Sequence, residues 1–136
     1  MAIETALCRS YKAEVMDGVH SRSDEYRMAL YTEAAVLDGE TQAYTADGEV
    51  EGRGYEAGGI VLTGIASGFS GNAAIINFDQ PEWRQATFEA AGALVYNASK
   101  DNRAVAALSF GGNVVCRNGR FAVNMPSDGN GLIRIR

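Results

Sequence analysis

The 136-residue chain is 46% hydrophobic and 21% charged, an ordinary balance for a soluble globular protein. Twelve basic against seventeen acidic residues give a net charge of −5, which argues against a nucleic-acid partner held through its phosphates. No run approaches the roughly 18 apolar residues of a membrane span, and the N-terminus, with Glu4, lacks a cationic-then-apolar signal pattern.

The length favours one domain over 1–136, able to build a core without staples. Sixteen glycines against two prolines fit the many tight turns of an all-β chain. Cys8 and Cys116 are the only cysteines, 108 positions apart; the alternatives are one long-range disulfide and, the favoured reading, two free, partly buried thiols.

In chain order, Thr5 to Asp17 is the one good helix candidate. Leu7, Cys8, Tyr11 and Val15 make a single stripe, while Arg9, Lys12 and Glu14 face away. Thr5 is placed to cap the start and Gly18 to follow the last turn. Such a helix either lies against the end of a sheet or forms an arm, 3–18, that reaches a neighbouring subunit.

The β part is expected over 25–136. Tyr26 to Tyr31 alternates, with Tyr26, Met28 and Leu30 on one face of a half-buried strand. Residues 33–59 form a long Gly-rich loop with few core residues, interrupted by a short strand near Ala43–Thr45. Ile60–Thr63 and Ala73–Phe78 read as strands, separated by a Gly64–Gly71 connection. The apolar runs Ala93–Tyr96 and Ala104–Phe110 flank the polar Asn97–Arg103 and read as antiparallel neighbours across a tight loop. Alanine is a poor strand former, so Ala106 and Ala107 are expected where a facing layer comes close. Asn118-Gly119 between Val114–Arg117 and Arg120–Met125 is the short signal of a hairpin turn. Pro126–Gly131 reads as a loop, and Leu132–Arg136 as a last strand with Ile133 and Ile135 inward. One helix and about eight short antiparallel strands favour a β-sandwich or jelly-roll-like domain.

Motifs for chemistry are sparse, and no catalytic residue, cofactor or metal site is assigned. His20 is the only histidine and reads as a solvated loop residue; Cys8, Cys116 and His20 lack the short spacings of a zinc site. Gly68-Phe69-Ser70-Gly71 lacks the spacing of a nucleophile elbow. Gly52–Gly58 misses the dinucleotide fingerprint by one position, without a strand-to-helix context. Asp79 and Glu82 read as turn acids facing water around Pro81. The Glu40–Glu56 carboxylates lack calcium-loop spacing. Asn97-Ala98-Ser99 reads as turn chemistry. Trp83, Phe88 and Tyr96 read as core aromatics rather than a sugar platform.

Two segments carry a resemblance. Met28–Thr32, continuing through Ala43–Thr45 to Glu49–Gly59, is one; Ala86–Phe88 through Gly92–Asn97 to Asn102–Ala106 is the other. Together, and with Leu7-Cys8 and Gly18-Val19-His20, the chain resembles small virion-associated proteins of tailed bacteriophages over nearly its full length. The resemblance implies a non-enzymatic capsid decoration or cement protein on the capsid exterior, made in the host cytoplasm, with the major capsid protein as its partner. It also implies self-association, a trimer first and a dimer second. Contacts are then expected from Tyr11 and Val15 on the helix and from Gly48–Gly59, with Arg53 and Tyr55 as anchors. Removing Ala2–Gly18 is expected to weaken attachment and leave the β core folded. The alternatives are a tail or neck adaptor or fibre-attachment protein, and a surface carbohydrate-binding module presenting an aromatic such as Trp83.

Overall fold

The computed structural model describes residues 3–70, 73–123 and 133–135. The elements run β1 (Ala6–Leu7), α1 (Arg9–Met16), β2 (Tyr26–Tyr31), β3 (Ile60–Val61), β4 (Ala66–Ser70), β5 (Ala73–Asn77), β6 (Glu82–Asn97), β7 (Arg103–Ala122) and β8 (Ile133–Ile135). They form a five-stranded antiparallel sheet in the order β1-β7-β6-β2-β3, and a three-stranded one, β4-β5-β8. The expected Gly64–Gly71 connection is therefore mostly strand, because β4 pairs with β5 from Ala66↔Asn77 to Ser70↔Ala73. The last strand is present as β8 on β5. The loop Pro126–Gly131 and the side-chain directions of Ile133 and Ile135 lie outside the described residues.

β6 and β7 form the axis. The expected pairing of Ala93–Tyr96 with Ala104–Phe110 holds, and the register runs from Asn97↔Arg103 out to Glu82↔Ala122. That length overturns the predicted Asn118-Gly119 hairpin. A two-residue hairpin needs positive φ at both turn positions. Here Asn118 alone is left-handed, at φ 50°, and Gly119 pairs with Ala86 inside the continuous strand. Between Ala86↔Gly119 and Phe88↔Cys116, β7 carries one extra residue, so the Asn-Gly pair makes a bulge. A matching irregularity on β6 falls at Gln85, φ 50°.

Alanines fill the middle of this sheet. Ala90, Ala91, Ala93, Ala104, Ala106 and Ala107 are buried, and their short side chains let other segments approach the backbone closely. β1 pairs edge to edge with Ala106 and Ala107 in the same sheet, a lateral neighbour and not the facing layer expected from the sequence. Gly92 carries this to the limit: a Cβ there would stand 2.5 Å from the Leu108 carbonyl oxygen and 2.7 Å from an Ile3 methyl.

β2 is buried on both faces rather than one, with Met28, Ala29, Leu30 and Tyr31 all at 0% exposure. It lies between β6 and β3, and the 33–59 segment contributes Ala35, Leu37 and Val50 to the same core. That segment has no regular strand, as expected of a loop, and serves as a cover over the sheet. It is fixed by backbone bridges Tyr31↔Glu49, Ala43↔Arg103 and Arg53↔Thr87, the second being all that forms of the expected Ala43–Thr45 strand.

The N-terminal region also departs from expectation. α1 starts at Arg9, not Thr5, because Ala6 and Leu7 are taken up by pairing with β7. Thr5 instead accepts a hydrogen bond at Oγ1 from the Ser109 N–H. The helix start is satisfied by tertiary backbone: Arg9 N donates to the Gly39 carbonyl at 2.7 Å. Its end follows the sequence closely. Gly18, φ 74°, donates to Val15 O and Val19 to Glu14 O, the paired bonds of a Schellman stop. With Ile3, Cys8 and Tyr11 buried at 2%, 0% and 3% exposure, the segment is part of the core and no detachable arm. Deleting residues 2–18 is therefore expected to abolish cooperative thermal unfolding. Three large core deletions together rival the roughly 5–15 kcal/mol that holds a domain folded. Calorimetry of the deletion variant checks this; an unchanged transition would refute it.

Candidate functional site

The described polar chemistry gathers in two clusters. The first is built on Asn97, the last residue of β6, which is fully buried. Its Oδ1 accepts from Ser99 N at 3.0 Å, an Asx turn, in line with the turn reading of Asn97-Ala98-Ser99. Its Nδ2 donates to Asp24 Oδ2 at 2.8 Å and to His20 Nδ1 at 2.9 Å. A flipped amide would set its oxygen against the Asp24 carboxylate and its NH2 against the Ser99 N–H. The orientation is thus fixed, Nδ1 of His20 accepts, and Nε2 carries the proton given to Glu14 Oε1 at 2.8 Å.

His20 is consequently not the solvated residue the sequence implied. Its side chain is 3% exposed and its ring packs 4.7 Å from that of Tyr11. Glu14 also binds Arg103 Nη1 at 2.9 Å through its other oxygen, and Asp24 takes both Lys100 contacts at 2.7 and 2.9 Å. Burial alone would raise the Asp24 carboxyl. Hydrogen bonds from Asn97, Lys100 and Ser21 N, with the Lys100 charge, outweigh it and bring the group down to about 2. Beside this cluster lies a cavity of about 200 Å³ between α1 and the smaller sheet, lined by Tyr11, Val15, Tyr26, Ile65, Ile76 and Phe78.

The second cluster centres on Glu49. Its Oε1 accepts from Tyr44 OH at 2.6 Å; its Oε2 accepts from Tyr55 OH and from Gly58 N at 2.8 Å. Tyr55 in turn accepts from Leu30 N at 3.0 Å, and Tyr96 donates to the Gly58 carbonyl at 2.5 Å. Burial first, then the hydrogen bond to Glu49, pushes the phenols of Tyr44 and Tyr55 far up. One carboxylate thus ties three points of the 33–59 cover together, and Tyr55 ties it to β2.

The remaining sequence candidates are scattered. Among the predicted contact residues, Tyr11 is buried against His20, and Tyr55 is half-buried between Trp83 and Phe88. Val15, at 37%, and Arg53 are exposed. Trp83 and Phe88 pack with Phe121, and Tyr96 packs at a tilt against Tyr44; Trp83, Phe88 and Tyr96 are all buried, so these aromatics are core. Cys8 and Cys116 are free, buried and apart: Sγ of the first faces the Asp38 carbonyl, that of the second the Ala86 carbonyl. Burial, with Asp38 and Glu14 nearby, pushes the Cys8 thiol up to about 11. Asp79 is exposed, as expected, and Glu82, partly exposed at the start of β6, bridges the exposed Arg84 and Arg120, each at 2.6 Å. Among the described residues no three His, Cys, Asp or Glu side chains are grouped to hold a metal, and no helix is long and apolar enough to cross a membrane.

Sequence reasoning missed Glu14, Asp24, Asn97, Lys100 and Arg103 as one group, and Tyr44 with Glu49 as another. The partners of Asn97 and Lys100 lie more than 70 positions away in sequence, and no local pattern marks them. No protein-family model, no curated protein and no solved structure matches the chain.

Glu49→Ala removes a hub with three donors and should cost about 2–4 kcal/mol in urea unfolding. Proteolysis within 33–59 should accelerate before β6 and β7 are cut. Asp24 gives a pH test. Its folded value lies below the ordinary 3.8, so its stabilisation is complete above roughly pH 4 and is lost as pH falls through about 2. Native and Asp24→Asn stabilities should differ above roughly pH 4 and converge as pH falls through about 2; a gap that does not change with pH would remove the assigned role.

Proposed function

We propose that this chain is a non-enzymatic capsid decoration protein of a tailed bacteriophage, binding the outside of the major capsid shell, with its two sheets closed as a β-sandwich. The supporting observation is the 33–59 cover. It lacks regular strands, yet Glu49, the three bridges and the buried Leu37 and Val50 pin it to the sheet. Its outward positions, among them Glu33, Val36, Asp47, Glu51, Arg53 and Glu56, are exposed. A surface ordered in advance loses little conformational entropy on docking, which is the economical way to bind a large, repetitive partner.

In this reading Arg53 and Val15 touch the shell, while Tyr55 holds the Arg53 loop from behind. Binding restricted to the expanded shell stabilises that state in proportion to affinity and free concentration. The sugar-binding alternative draws no support from Trp83, which is 5% exposed.

Stoichiometry of purified virions of the encoding virus tests the proposal. Roughly one copy per major capsid subunit is expected of a shell-wide decoration protein. A small ratio would move the chain to the tail or neck, and its absence from virions would overturn the reading.

A further inference from the structure

The cavity between α1 and the smaller sheet holds a polar atom that the described chain does not use. Ile65, just before β4, Ile76 on β5 and Phe78 just after it make apolar wall, and Tyr26 adds its ring, 5.7 Å from that of Phe78. Arg22, also on the lining, donates from Nη2 to the Ile65 carbonyl at 3.2 Å and ties the 18–25 connection to the smaller sheet. Tyr11 enters from α1. It is 3% exposed, and among the described residues its hydroxyl neither donates nor accepts a hydrogen bond. The Tyr26 hydroxyl, by contrast, donates to the Ser21 carbonyl at 2.9 Å. The Tyr11 oxygen is not sealed by protein on every side, and the space open to it is the cavity that the residue lines. Phenylalanine would pack against His20 equally well, so the oxygen is not needed for that contact. Burial pushes the phenol up, which keeps it a donor through the ordinary pH range.

We propose that this cavity binds a small neutral molecule, one aromatic or branched aliphatic unit with a single hydroxyl or carbonyl that pairs with the Tyr11 hydroxyl. Volume sets the size: an apolar cavity of about 150 Å³ holds benzene, so one of about 200 Å³ has room for a ring and one small polar substituent. The walls set the charge, because apolar side chains return nothing for the hydration an ion gives up. The hydroxyl sets the substituent, since a buried polar group left unpaired is costly and one ligand oxygen relieves it. The site requires no shell: Arg53 lies on the 33–59 cover, and binding is read on the isolated chain with Val15 unchanged.

Methyl-resolved NMR titration of the full chain with phenol, and with benzene as the same ring without the hydroxyl, provides the test. Phenol should bind saturably, with a Kd of about 1 mM or tighter, and shift the Ile65 and Ile76 methyls. Tyr11→Phe should weaken phenol binding about tenfold and leave benzene within about twofold, because only phenol uses the hydroxyl. The same variant should keep or raise the thermal midpoint, since it removes an unpaired polar atom. Ile65→Trp fills the space from a half-buried position and should abolish binding of both probes. Phenol that does not saturate or that shifts only methyls away from the cavity, equal losses of phenol and benzene in Tyr11→Phe, or binding that survives Ile65→Trp would each overturn the proposal.

Discussion

A single buried amide sets the geometry of one end of this molecule. Asn97 has no exposed surface, so each polar atom must find a partner within the protein. Its oxygen closes the β6–β7 turn on Ser99, and its two N–H groups reach Asp24 and His20. The turn, the 18–25 connection and, through His20 and Glu14, the helix are thereby fixed together. Aspartate in its place could not donate to either group, which makes the amide a stronger requirement than its size suggests. The charged members, Glu14, Asp24, Lys100 and Arg103, sit around this centre and nearer to water, where pairing costs less desolvation.

The second organising carboxylate works differently. Among the described residues Glu49 makes no ion pair with Arg or Lys; its partners there are two phenols and a backbone N–H. Neutral donors satisfy the carboxylate without bringing a second charge into a half-buried site. An irregular segment acquires a fixed shape in this way without strand ladders. Glycine completes the fit: at Gly59, φ 82°, a Cβ would come 1.9 Å from the Met28 carbonyl oxygen.

Legibility in the sequence followed the range of the interactions. The pairing across Asn97–Arg103, the stop at Gly18 and the Asx turn are decided within a few residues, and all three were readable. The burial of Ala106 and Ala107 was readable because alanine in a strand demands a close neighbour. Asn118-Gly119 misled because its local preference for left-handed backbone is real, yet a bulge satisfies it as well as a turn does. Only the pairing with Ala86 on β6 decides between them. The solvated His20 and the half-buried β2 erred in one direction. Each was assigned to water because its covering partner lies far along the chain. The helix start slipped for the same reason, since β7 claims Ala6 and Leu7 before a helix can.

The pairing of β1 with β7 has a consequence for synthesis. Ala6 meets Ala107, and Thr5 meets Ser109, across 100 or more intervening residues. On the ribosome, this segment emerges about 100 residues before the strand on which it docks. Ile3, Leu7 and Tyr11 must therefore stay uncommitted until β7 has been made. Folding is dominated by late, long-range closure, the slow regime for β topologies and the one in which nascent chains rely most on chaperones.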